Sequence, residues 1–277
     1  MSAGSVTRAG LDGRARPVRL RPRSTAALAI ASLIGLAAFC WPLLVDPSSS
    51  LGRGSDATLV FALLLPLVLA VVLAEVSEGG IDAKALAMLG VLSAIGAALR
   101  PLGAGTAGVE TVFFLLVLGG RALGPGFGFV LGTTTLFASA LLTGGVGPWL
   151  PFQMLGAAWV GLGAGLLPRA TGRVELVMLG AYSAVAGLLY GLLLNLTFWP
   201  FTLGPDTQIS YAPDATVVEN LHSFALFTLA TSLGWDVGRA LTNLVLVLLA
   251  GPAVLAALRR AARRAAFDAP ATFTPPS

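Results

Sequence analysis

The chain predicts an all-α integral membrane protein, and three observations carry that prediction. Hydrophobic residues make up 56% of the 277 and charged residues 11%, against roughly 25% charged in a soluble domain. Mean hydropathy is +0.86. The apolar residues are also gathered into long uncharged runs, several of about the 20 residues that a membrane-crossing helix needs. A backbone placed in lipid has to satisfy its own hydrogen bonds, which a helix does.

Eight apolar segments are expected. The first, Thr25 to Val45, follows six arginines (Arg8, Arg14, Arg16, Arg19, Arg21, Arg23). That opening looks like the start of a signal peptide, but the run is of spanning length and lacks a convincing cleavage site, so it reads as a retained helix. The second runs from Ala57 to Glu75 and the third from Ala83 to Leu99. Along the third, Ala83, Ala87, Gly90, Ala94 and Ala98 recur at spacings of three and four. Such a small-residue face admits another helix closely, one of this chain's own or a partner's. A similar ridge, Ala27, Ala31 and Gly35, marks the first segment.

The fourth and fifth segments, Thr111 to Leu123 and Phe127 to Leu142, fall short of a straight span, so one of them is expected to be kinked or re-entrant. Between the fifth and the sixth, Pro151 to Leu167, lies the break TGGVGPWLPFQ, Thr143 to Gln153. Glycine and proline free the backbone from helical bonding there, which membrane depth tolerates only beside protein or a water-filled cavity. The seventh segment is Glu175 to Phe198 and the eighth Asp236 to Leu258. The stretch Leu203 to Leu233 between them reads as a long external loop whose apolar part, SFALFTLATSLGW, is expected to form a packed or interfacial helix. Four arginines (Arg259, Arg260, Arg263, Arg264) close the eighth segment. With both termini cytoplasmic, Lys84, Arg121, Arg169, Arg173 and the two tails also fall inside, and only Arg53, Arg100 and Arg239 outside.

Several chemistries are excluded. The chain has no GxxxxGK[ST] phosphate loop, and its only lysine stands in DAKAL. One histidine, His222, rules out HExxH, and GxSxG does not occur. GPGFG, Gly124 to Gly128, lacks the strand and helix of a dinucleotide site. The single Cys40 makes neither a disulfide framework nor a cysteine metal site. No catalytic residue, metal or cofactor is expected, and the chain is not read as an enzyme. The pI near 10.0 reflects arginines beside helix ends, where anionic lipid headgroups sit, so the bilayer and not nucleic acid is their expected partner.

No segment holds an acid, lysine or histidine near its centre, which speaks against ion coupling. Polar and aromatic groups converge instead on the outer face: Arg100 and Glu110, Trp149 and Gln153, Asn195 and Trp199, and Asn220, His222, Trp235 and Asp236. Amides and indoles grip an organic molecule by hydrogen bonds and stacking. Taken singly, the tryptophans read as interfacial belt residues, and Asp236 with Arg239 as a helix-start acid and its neighbour. Gln153 and Asn195, amides entering apolar helices, require partners.

The stretches DAKALAMLGVLSAIGAALRPLG, VFFLLVLGGRALGPGFGFVLGTTTLFASALLTGGVGPWLPFQMLGAAWVGLGAGLLP and TSLGWDVGRALTNLVLVLL resemble the substrate-binding S component of energy-coupling factor (ECF) transporters. The resemblance implies a six-helix S-component-like core over residues 81–260. An extra transmembrane hairpin, 25–80, precedes it, between a basic cytoplasmic tail, 1–24, and a second tail, 261–277. It further implies a plasma-membrane subunit that captures a vitamin outside the cell, partnered by a T component and two ATPase subunits that drive release. The family's AxxxA motif, which contacts the T component, maps to Ala83 and Ala87. The cobalamin-type branch is the most similar; biotin, thiamine or its pyrimidine precursor, riboflavin and folate stay open. Trp149, Gln153, Asn195 and Trp235 are the expected ligand contacts, with Arg100, Asn220 and Asp236 next. The alternative is an ion-coupled secondary transporter of a small organic solute, which would be expected to show paired halves and a midplane ionisable residue.

Overall fold

The computed structural model of the chain describes residues 20, 22–44, 67, 70, 71, 74, 83–103, 106–203 and 207–265. The expected segment Ala57 to Glu75, apart from four positions, lies outside the described residues, as do the tails before residue 20 and after 265. Among the described residues every regular element is a helix. These are α1 (Pro22–Phe39) with the short α2 (Trp41–Leu44), α3 (Ala83–Leu99), α4 (Val112–Leu123), α5 (Pro125–Thr143), α6 (Leu150–Leu166), α7 (Gly172–Phe198), α8 (Val217–Phe227) and α9 (Leu233–Ala265). Among the described residues, five helical stretches are long and apolar enough to cross a membrane: Pro22–Phe39, Ala83–Gly103, Pro125–Thr143, Gly172–Phe201 and Val217–Arg264. Large apolar side chains such as Leu33, Val91, Val185 and Leu249 stand exposed around them. Water penalises that surface and lipid tails accommodate it, so the architecture is that of a multi-pass membrane protein.

The two shorter apolar helices, α4 and α6, occupy the middle of the bundle. In α4, Val112, Phe113, Leu116, Val117, Leu118 and Leu123 have no exposed surface. Its 12 residues make a rod of about 18 Å, short of the ~30 Å hydrocarbon layer. A helix sheathed in protein needs no match to lipid thickness, and α4 is not re-entrant. Its first turn is held by Asn243 of α9, whose Oδ1 accepts from Phe114 N at 2.7 Å, and its last turn reaches Glu175 of α7 through Arg121. The bend comes after it: Gly124 ends α4, and Pro125 starts α5 at once in a position where its missing N–H is not needed.

Taking the end where α3 finishes as the upper one, the lower end is tied by one buried cluster. Glu175 Oε1 accepts from Arg121 Nε at 2.6 Å and from Arg259 Nη2 at 2.7 Å. Arg121 also donates to the carbonyls of Leu167, Pro168 and Ala170 beyond the end of α6. At the upper end α1 joins the same core. Phe39 packs edge-on to Phe152 of α6, Trp41 Nε1 donates to Thr197 O, and Thr197 Oγ1 donates to Phe39 O.

The segment after α7 is ordered by a second, smaller core. Trp199 is 1% exposed, packs among Tyr211, Phe224 and Phe227, and donates Nε1 to Ile209 O at 2.7 Å. It is therefore an anchor and not a belt residue. Thr216 and Glu219 form a reciprocal capping box that starts α8. The SFALFTLATSLGW stretch is helical throughout, passing from α8 through a π-helical turn, Thr228–Ser232, into α9. The 48 residues from Val217 to Arg264 span about 72 Å at helical rise, more than twice the hydrocarbon thickness.

Candidate functional site

The TGGVGPWLPFQ break is a tight connection between α5 and α6. Gly144 adopts φ +66, a left-handed conformation that strains any residue with a Cβ, and caps α5 by donating its N–H to Ala140 O. A turn from Gly147 to Leu150 follows, closed by Leu150 N donating to Gly147 O. Trp149 then heads α6, its indole Nε1 donating to Gly145 O at 3.2 Å. One turn further, Gln153 enters the bundle. The break is thus both a loop and a wall: Thr143, Gly145, Trp149 and Gln153 line a half-open cavity of about 340 Å³ at the upper end.

The rest of the lining comes from the α3–α4 connection, from α9 and from α5. The turn after α3 contributes Arg100, Pro101 and Gly103, and the approach to α4 contributes Gly108, Val109 and Glu110. Trp235 and Arg239 come from the start of α9, and Ser139 from α5. Close backbone packing brings the approach to α4 and the start of α9 together: a Cβ on Gly238 would strike the carbonyl of Ala107.

Four charges form one network beneath this opening. Arg239 donates from Nε to Glu110 Oε2 at 2.6 Å and from Nη1 to Asp236 Oδ1 at 2.7 Å and Gly187 O at 3.3 Å. Its guanidinium carbon lies 5.4 Å from the centre of the Tyr190 ring, within cation–π range. Arg100 donates from Nη2 to Gln153 Oε1 at 2.9 Å, and its Nε stands 4.0 Å from Glu110 Oε1. Asn243 fastens the base, donating to the carbonyls of Glu110 and Arg239. The hydroxyl of Ser139 is wholly buried and has no hydrogen-bond partner among the described residues.

Of the residues expected from sequence, Trp149, Gln153, Trp235 and Arg100 meet at the cavity. Asp236 lies behind Arg239 and not in the lining, and Asn195 is one step further back, donating Nδ2 to Asp236 Oδ2 at 3.3 Å. Asn220 is elsewhere. Its Oδ1 accepts from Ala212 N, and its Nδ2 donates to the carbonyls of Ala212 and Ala215, so the amide holds the loop before α8 and does not reach the cavity. His222 is exposed. Sequence reasoning placed Glu110 on the outer face and Thr143 in the break, but named neither of them, nor Arg239 or Ser139, as an expected ligand contact. The Asp236–Arg239 spacing was the one available signal, since residues three apart share a helix face.

Comparison with protein-family models, with curated proteins and with solved structures finds no match. Fold and site define the class on their own terms: an all-helical protein with several membrane-crossing helices and a charged, tryptophan-rimmed cavity at one end.

Proposed function

We propose that this chain is the substrate-capture subunit of an ECF-type importer of the plasma membrane, taking a vitamin-like molecule at its upper, external end. A T component and two ATPase subunits would then drive release. In this reading α3 to α7 with α9 are the six-helix core over residues 81–260, and α1 belongs to the added segment 25–80, most of which lies outside the described residues. Both termini are cytoplasmic, which puts the basic lower end inside as the distribution of arginines asks.

The observation that carries the reading is a cavity open at one end of a bundle, above a closely packed core. Below it lie the wholly buried side chains of Phe113, Phe127, Phe129, Leu131 and Phe152. A ligand entering there is held until the subunit itself moves, which suits capture better than conduction. Concave, partly apolar sites with a few placed polar groups are the usual form of small-molecule sites.

The small-residue face of α3 supports the partner. Ala83, Ala87, Gly90, Ala94 and Ala98 are all exposed among the described residues, and a Cβ on Gly90 meets nothing within 4 Å. The described helices of the chain do not cover that face. A close-packed T-component helix fits it. Replacing Ala87→Leu is expected to abolish ATP-dependent uptake in cells while the purified variant still binds substrate. Uptake at the unmodified level would remove the assignment. Uptake that persists without ATP but collapses with the ion gradient would favour the secondary transporter.

A further inference from the structure

Resting on that capture reading, we infer that the cavity takes a compact organic anion, a flat ring system bearing a carboxylate, in preference to a cation or a corrinoid. The distribution of charge among the lining residues carries the inference. Arg239 is satisfied by two carboxylates, at 2.6 and 2.7 Å. Glu110 gives one oxygen to Arg239 at 2.6 Å and turns the other toward Arg100 at 4.0 Å, so the single carboxylate in the lining already faces two guanidiniums. The lining thus holds two guanidiniums to one carboxylate, and Arg100 is the less tightly paired of the two. Its hydrogen bond goes to a neutral amide, and its nearest carboxylate oxygen among the described residues is 4.0 Å away. A guanidinium with free N–H groups matches a carboxylate in shape as well as charge.

Three further groups point the same way. Gln153 accepts from Arg100 through its oxygen, which leaves its amide nitrogen as a donor at the cavity wall. Ser139 Oγ is buried in the lining with no hydrogen-bond partner among the described residues. Trp149 and Gln153, at the start of the 17-residue α6, border the same space, and the partial positive charge of a helix start favours an anion. Beside these donors, Trp149 and Trp235 are 43% and 47% exposed and offer ring faces for stacking. The volume of about 340 Å³ sits near the bottom of the roughly 300–1,000 Å³ range of small-molecule pockets, which suits a ligand smaller than a corrinoid.

Calorimetry on the purified full chain would test this with acid and amide pairs: indole-3-acetate and indole-3-acetamide, nicotinate and nicotinamide, biotin and biotinamide. Thiamine serves as the cation and cyanocobalamin as the oversized probe. At least one acid is expected to bind roughly 10- to 100-fold more tightly than its amide, the range of a hydrogen bond to a charged group. Arg100→Gln should bring that ratio close to one, and Arg100→Lys should recover part of it. Should Arg100→Gln fail to fold, Gln153→Leu, which removes the neighbouring donor, should lower the same ratio. An amide binding as well as its acid, binding of thiamine or cyanocobalamin alone, or a ratio unchanged in the variants would overturn the anion assignment and leave capture standing. Binding by none of the probes would overturn both.

Discussion

A carboxylate among apolar helices needs cations close by, and Glu175 has two. Its side chain is 3% exposed and that of Arg121 4%, so the pair is largely removed from water. Removing one partner of such a group leaves a buried charge uncompensated, at a cost of about 3–5 kcal/mol. Glu175→Gln, which strands Arg121 and loosens Arg259, is expected to lower the thermal unfolding midpoint of the purified protein markedly. An unchanged midpoint would show that the cluster is ornamental. The same physics separates what was legible at the cavity from what was not. Trp149, Gln153 and Arg100 flank breaks in apolar runs, where a polar or indole group stands out against its neighbours. Arg239 and Asp236 were visible too, but they read locally as a helix-start acid and its neighbour. Only the packing of the chain before α4 onto α9 brings Glu110, 129 residues away, to 2.6 Å from Arg239. No local pattern encodes that approach.

At the scale of elements, α5 and α6 pack against each other more extensively than any other pair, and glycine makes their approach possible. A Cβ on Gly161 of α6 would meet the backbone carbonyl of Gly128 of α5, with the carbonyl carbon at 2.6 Å. Backbone cannot rotate aside as a side chain can, so Gly161→Ala forces the helices apart. Overpacking of this kind typically costs about 1–3 kcal/mol. Gly90→Ala on the open face of α3 meets nothing and should leave stability equal or slightly raised, since alanine is the better helix former. Thermal unfolding of the two variants side by side checks the contrast; equal midpoints would mean that α5 and α6 are not in backbone contact. Helices were legible wherever a run of apolar residues approached 20, because lipid enforces both composition and length. Boundaries shifted by a few residues where caps lay outside the apolar run, as at Pro125 and Gly172. The joining of α8 to α9 escaped because Asp236 suggests a helix start, whereas its charge is buried against Arg239 inside a continuous rod.

For the whole molecule, the first helix belongs to the bundle. Leu28, Ala31 and Phe39 of α1 share one hydrophobic core with α4, α5 and α6, and Trp159 Nε1 donates to Ser32 Oγ at 2.9 Å. The chain therefore presents its upper end with α1 already in place, and the only cysteine, Cys40, sits there in the turn between α1 and α2. The lower end carries Lys84, Arg121, Arg169, Arg173 and the four arginines at the end of α9. Basic residues collect on the cytoplasmic side, so a membrane-impermeant maleimide added to intact cells is expected to reach Cys40 from outside, and a Cys40→Ser variant to stay unlabelled. The rate has its own signature. The thiolate is the form that reacts, so labelling should quicken as pH rises. Labelling that appears only after the membrane is made permeable would invert the orientation and place the cavity on the cytoplasmic side, where it has no role in capture from outside.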